Sequence, residues 1–421
     1  MNNNKSALFT PIQIATLEFP GRLFKTATAE TRASRDGYVT PEVIDFYVLL
    51  AEGETPLIIT GNIYISQQGK SAQFQLGADH DDKISGLSEI VNVVHARGSK
   101  IFAQLNHCGR QIVPDSVDAV DVVSASEVKE LITGTKPREL DVNEIRGVVD
   151  DFADAAERCQ RAGFDGVQMH SSNGYLLSQF LTPYTNRRRD SYGGSLEKRT
   201  LFGREVYRAI RAKVGPDFPV ILKLNGADKL PLRDGLKTRE LVKVALIMEA
   251  EGIDAVELSV GHYESGFPMV HGTFGRCLRN MVRGTSSHLP FVRRILMRVF
   301  HPVIAVACNI LWKRREGYNL DYSSSFTKQL KIPVICVGGF RTRRVMEAAI
   351  ESNQCDAVSA GRPFIADPYF YRHIRDHQPG PKCVDCNACV GHIGAQPNDC
   401  YHPRVAAEKK EMLRLESSVK Y

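Results

Sequence analysis

The sequence predicts an α/β protein, a (β/α)8 barrel, and three observations predict it. Short β-branched runs alternate with amphipathic stretches, the pattern of βαβ units and a parallel sheet. No Gly-x-Gly-x-x-Gly follows the first run, as a doubly wound dinucleotide fold would want. Polar residues gather where the runs end, the face on which a barrel carries its chemistry. The 421 residues suit one elaborated barrel as well as two domains.

Eight strands are expected at Arg22–Thr28, Leu57–Asn62, Lys100–Leu105, Asp165–His170, Pro219–Leu224, Asp254–Val260, Pro333–Val337 and Asp356–Ala360, each apolar enough to be covered on both faces. Helices fill the gaps. In Asp141–Ala162, residues Ile145, Val148, Val149, Phe152, Ala156 and Cys159 recur at helical spacing, and Asp141 with Glu144 reads as a capping box. After strand six, about 262–321 is too long for an ordinary βα loop. It carries Leu289–Phe300, whose Phe291, Val292, Ile295, Leu296, Val299 and Phe300 share a helical face interrupted by Arg293, Arg294 and Arg298. Two readings stand for it, a lid packed on the barrel or a peripheral membrane contact through 289–312. The expected organisation is a barrel over 1–376 and a Cys-rich C-terminal tail over 377–421.

Composition narrows the function classes. With 43% hydrophobic and 24% charged residues the chain can bury a core, and a net charge of +6 without a basic, aromatic-interleaved run gives no nucleic-acid footprint. The first residues lack a basic and then apolar leader, so a cytoplasmic protein with reduced thiols is expected. Six of ten cysteines are scattered; the others, Cys383, Cys386, Cys389 and Cys400, form Cys-x2-Cys-x2-Cys-x10-Cys.

Strand three ends in Gln104-Leu-Asn-His107-Cys-Gly-Arg110, strand four in His170-Ser-Ser-Asn173-Gly-Tyr175, and strand five in Lys223-Leu-Asn225. Strands seven and eight end in Gly338-Gly339-Phe-Arg341 and Gly361-Arg362-Pro363. The segment His170–Gly194, with these motifs in this order, resembles the Old Yellow Enzyme family over roughly residues 8–376, in its NADH:flavin oxidoreductase branch. The resemblance implies FMN as cofactor, NADH or NADPH as electron donor, and a small-molecule substrate with an activated C=C bond. Cofactor contacts are then implied at Ala27, Thr28, Gly61, Gln104, Lys223, Gly338, Gly339, Gly361 and Arg362.

The residue chemistry agrees with these roles. Glycine amides at Gly338, Gly339 and Gly361 with the Arg362 fork suit a phosphate. A fixed cation at Lys223, beside Gln104, suits the edge of a flavin that becomes negative on reduction. Hydride addition to a C=C bond builds charge on a neighbouring oxygen, for which His170 and Asn173 are the expected donors. Tyr175 is the expected proton donor to carbon, a role the resemblance implies. Arg187, Arg189, Asp190 and Tyr192 are read as fixing the loop.

In this branch Lys223 stands where better-known members carry Arg. Three departures qualify the resemblance: Ala29 stands where many members carry a hydroxyl or thiol, leaving Thr28 as the substitute. The insertion is the second departure. The tail is the third: related dienoyl-CoA reductases hold a 4Fe–4S cluster with one residue more before the third and the fourth Cys, and pass electrons to it from an FAD domain that does not follow here. A tail without metal is therefore expected over iron–sulfur or zinc. Two other functions stay open, a dienoyl-CoA-reductase-like enzyme with an Fe–S site and a flavin-free, phosphate-binding aldolase or isomerase.

Overall fold

The computed structural model describes residues 6–112, 121–230, 233–283, 291–393 and 396–419. Eight parallel strands close into a barrel: β1 Leu23–Lys25, β2 Leu57–Tyr64, β3 Lys100–Asn106, β4 Gly166–Ser171, β5 Val220–Asn225, β6 Val256–Ser259, β7 Val334–Val337 and β8 Ala357–Ala360. Each neighbours the next in sequence, and β8 pairs with β1 through Val358 and Leu23. All eight expected strands are present, displaced by at most a few residues at their ends. Helices α1 Pro41–Glu52, α2 Ile84–His95, α3 Val142–Arg161, α4 Leu196–Val214, α5 Thr238–Glu251, α6 Leu320–Thr327, α7 Arg343–Glu351 and α8 Phe370–Arg375 follow the strands in turn. Before α3, the Asp141 side chain accepts from the amides of Asn143 and Glu144, and the Glu144 carboxylate accepts from the Asp141 amide, the capping box the sequence predicts.

Alternation along the strands builds the barrel interior in layers. The lowest is apolar: Phe24, Phe102, Ile221, Ala255, Ile335 and Ala357 form one buried cluster. A hairpin of Ile12–Ile14 and Leu17–Phe19 closes that end, with Phe19 edge-on to Phe24 (5.5 Å) and Phe102 (6.2 Å). Two residues further along the same strands the interior turns polar with Thr26, Gln104, Lys223, Glu257 and Ser359, all buried. Beyond β6 the chain forms helices Gly275–Arg283 and Phe291–Leu311, so the expected helix of the insertion runs on through Pro302. Leu289, where that helix is expected to start, lies outside the described residues. The tail returns over the barrel: Asn398 donates its amide to the Glu30 carbonyl at 2.8 Å, and Lys409 reaches the Ile365 carbonyl at 3.2 Å.

Candidate active site

The polar layer is one connected network. Lys223 Nζ, on β5, donates to Glu257 Oε2 on the adjacent β6 at 2.7 Å and to Thr26 Oγ1 at 2.8 Å. Gln168 Nε2 donates to the same Glu257 oxygen at 3.0 Å, Ser359 Oγ to Glu257 Oε1 at 2.6 Å, and Gln104 Nε2 to Gln168 Oε1 at 2.6 Å. A carboxylate this deep is costly unless paired. Burial pushes the Glu257 carboxyl up, but Lys223 and the hydroxyl donors outweigh it, and the net shift is downward. The layer therefore holds an ionised pair, which the sequence reading missed. A carboxylate inside the apolar run Val256–Ser259 is the signal that could have found it, since a doubly covered strand tolerates an acid only with a partner.

A bulge in β2 between Ile59 and Asn62 re-aims the backbone, and Gly61 donates its amide to Glu30 Oε1 at 2.6 Å. Tyr47 donates to the same carboxylate, whose pKa burial raises. Burial lowers the pKa of Lys25, at the end of β1, to about 8, against the pull of Glu30. Gly61 thus serves the Glu30 carboxylate, and its place leaves no room for a side chain, since a Cβ would fall 2.2 Å from Glu30 Oε2.

Above the polar layer, β4 delivers the predicted trio. His170 and Tyr175 meet edge to face with ring centroids 4.6 Å apart. Burial, with Lys223 adding, holds the His170 imidazole well below its usual value, so it is neutral; burial, with Tyr263 adding, raises the Tyr175 phenol well above its own. The Tyr175 and Tyr263 hydroxyls lie 3.1 Å apart. Asn173 has a left-handed backbone (φ 58°), which Asn tolerates, and its Nδ2 is 3.2–3.3 Å from Ser259 Oγ and the carbonyls of Val260 and Gly261. Its amide donors are thus already engaged by the chain after β6, where the sequence reading has them facing a ligand. The loop is fixed by Arg188 rather than by Arg187 or Arg189: Arg188 donates to Asp190 at 2.6 Å and to the Leu140 carbonyl at 2.6 Å.

The loop after β8 brings Gly361 against the chain that follows β1, while Gly338 and Gly339 after β7 lie against Tyr318. Gly339 has a left-handed backbone (φ 71°), and a Cβ at Gly361 would come within 3.1 Å of Thr28 Cγ2. Arg362 does not stand free. It donates to the His271 carbonyl at 2.8 Å and to Asn387, and lies 3.4 Å from Asp385. Asp385, in the tail, also pairs with Arg314 at 3.0 Å and with Arg341. The tail thus places a buried carboxylate among three guanidiniums, two of which, Arg341 and Arg362, directly follow the glycine loops after β7 and β8. The tail's four thiols neighbour one another; burial pushes Cys389 up to about 12, an effect Cys383, Cys386 and Cys400 reinforce. Among the described residues no group of three His, Cys, Asp or Glu side chains is arranged to hold a metal.

The mouth suits a flat, polar-edged group such as FMN. Thr28 Oγ1 and both amide atoms of Asn106 are buried there without partners, and Ala27 packs against the apolar layer below. A ring seated on Ala27 would meet Gln104 and Lys223 along one edge and the β7 and β8 glycines at its phosphate end.

Comparison with known proteins agrees. Residues 7–273 match the model of the NADH:flavin oxidoreductase / NADH oxidase family. The chain is 32% identical to an NADH oxidase of Thermoanaerobacter brockii over 91% of its own length and 53% of that protein. It is 28% identical to a cinnamate reductase of Clostridium sporogenes over its whole length and 61% of that protein. The chain thus spans little more than half the length of these curated relatives. In fold it is similar to the Old Yellow Enzyme homologue of Zymomonas mobilis, with a TM-score of 0.70 at 24% identity, covering 96% of this chain and 99% of that one. The chain belongs to the NADH:flavin oxidoreductase / NADH oxidase family, the FMN-dependent oxidoreductases of Old Yellow Enzyme type.

Proposed function

We propose that this chain holds FMN in the barrel mouth, accepts hydride from NADH or NADPH, and passes it to an activated C=C bond, as in an enone or a cinnamate-like acid. The observation that carries this reading is the edge-to-face contact of His170 and Tyr175 beside the buried Lys223–Glu257 pair. FMN supplies the hydride chemistry. The protein supplies the rest. Neutral His170 donates a hydrogen bond to the substrate oxygen, Asn173 joins it by turning from β6, and Tyr175, kept protonated by burial, gives its proton to carbon. Arg362 and the amides of Gly338, Gly339 and Gly361 hold the phosphate. Residues 1–376 form the FMN-binding unit in this reading, and a cinnamate reductase among the relatives supports the substrate class.

Anaerobic stopped flow tests it. The FMN-loaded protein is reduced with NADH or NADPH and mixed with cyclohexenone or cinnamate. Flavin reoxidation faster than buffer controls is expected; a protein that takes up no FMN, or whose reduced flavin ignores every activated alkene, overturns the reading. The four neighbouring thiols favour one second reading, a dienoyl-CoA-reductase-like enzyme with a cluster in the tail. Iron and acid-labile sulfide in anaerobically purified protein would establish that reading.

A further inference from the structure

Helix Phe291–Leu311 is packed inside out. Its inward stripe is small or polar: Ala305 and Cys308 are buried against Phe274, Cys277 and Leu278, and Asn309 accepts from the Phe274 amide at 2.8 Å. The bulky residues face water. Val292, Val299, Phe300, Val303, Ile310 and Leu311 are 50–73% exposed, and ten of the eighteen exposed large apolar residues among the described residues lie on this helix. At 3.6 residues per turn they sweep an arc of about 180°, where a helix laid on a barrel would carry charge. An apolar face of this extent marks a binding surface.

Charge says what it binds. Between Glu264 and Glu316 there is no Asp or Glu, yet there are nine Lys and Arg, more positive charge than the +6 of the whole chain. Arg279 and Arg298, with Val282 and His301, line a recess of about 330 Å³ between the two insertion helices. No helix among the described residues is long and apolar enough to cross a membrane.

We propose that this helical hairpin docks the protein flat on the surface of an anionic phospholipid bilayer. The apolar arc enters the acyl boundary, and the arginines that flank it, the exposed Arg279 and Arg298 among them, meet headgroup phosphates. A second copy of the chain is the poorer occupant, because it would set nine like charges against nine. The hairpin follows β6 at the barrel mouth, so docking turns the mouth toward the lipid. This inference is independent of the substrate class proposed above.

Co-sedimentation of the FMN-loaded protein with vesicles tests it, using phosphatidylcholine alone and phosphatidylcholine mixed with phosphatidylglycerol, at low and high salt. Binding to the mixed vesicles at least tenfold tighter than to phosphatidylcholine, and weakened by salt, is expected. Val303→Asp with Ile310→Asp should lose it, as should Arg279→Glu with Arg298→Glu. Bound flavin and an unchanged melting temperature show that these surface variants are folded. No vesicle binding by the parent, equal binding to both vesicle types, or parent-like binding by both variants overturns the proposal. So does a concentration-dependent dimer in sedimentation equilibrium that the Asp variants dissolve.

Discussion

Lys223 and Glu257, on neighbouring strands, form an ion pair of 2.7 Å inside the barrel, with His170 in register with Lys223 on its other side. The positive charge that the proposed function sets at the flavin edge is therefore shared with a carboxylate. Removing each partner should move the flavin midpoint potential in opposite directions. Lys223→Met should lower it by ~30 mV or more, which is ~1.4 kcal/mol in a two-electron couple. Glu257→Gln should raise it, because the cation then answers only to the flavin. Spectroelectrochemistry on the three FMN-loaded proteins checks both signs; a midpoint unmoved in Lys223→Met takes the lysine away from the flavin.

Proton delivery is separable from hydride delivery. Tyr175→Phe keeps the ring that packs on His170 and loses only the hydroxyl, so flavin reduction by the nicotinamide should be unchanged. Reoxidation by an enone should slow ~10²–10⁴-fold. Stopped-flow traces of the two half-reactions settle it, and equal reoxidation rates remove Tyr175 from the chemistry.

His170 and Asn173 should not behave alike. Among the described residues His170 hydrogen-bonds only Ser172, at 3.3 Å through Nδ1, whereas the Asn173 amide is spent on the chain after β6. His170→Ala should cost ~10²–10³ in turnover and weaken phenol ligands over the flavin. Asn173→Ala should cost less in phenol binding and more in thermal stability, since it cuts the tie between β4 and β6. Phenol titrations and melting curves compare them; identical profiles would contradict the distinction.

Acid should unfold the barrel through His107. Burial pushes this imidazole down to about 3, from 6.5 when unfolded. The folded state therefore refuses a proton that the unfolded state accepts, so the stability contribution is full above pH 6.5 and lost as pH falls toward 3, by about 1.4 kcal/mol per pH unit. His107→Asn keeps an acceptor for the Gly109 amide, now held by Nδ1 at 3.0 Å, and should flatten that slope. Urea titrations between pH 7 and 4 measure it; parallel slopes would place the acid sensitivity elsewhere.

Asp385 neutralises the arginines that would otherwise greet a phosphate. Asp385→Ala should lower the melting temperature of the FMN-free protein while slowing FMN release, because Arg362 is then left with the phosphate as its only anion. Fluorescence of released flavin reports the off-rate, and faster release would make Asp385 a scaffold for Arg362 rather than a competitor.

The strands were legible because each is buried on both faces and so reads as a short apolar run, and His170, Asn173 and Tyr175 were legible because they stand together at one strand end. What stayed hidden were partners distant in sequence. Glu257 lies 34 residues from the lysine it pairs with, and Asp385 lies 71 from Arg314. Spacing carries no trace of such pairs; only the cost of an unpaired buried charge hints at them. Pro302 hid the second half of the insertion helix, since proline in a helix interior ordinarily ends it.

The hairpin of Ile12–Ile14 and Leu17–Phe19 plugs the lower end of the barrel with Phe19, so that among the described residues the mouth is the open end. In the proposed reaction nicotinamide and oxidant would then both use the mouth, each leaving before the other arrives. Initial rates plotted in double-reciprocal form at several fixed acceptor concentrations should fall on parallel lines, and an excess of either reactant should compete with the other.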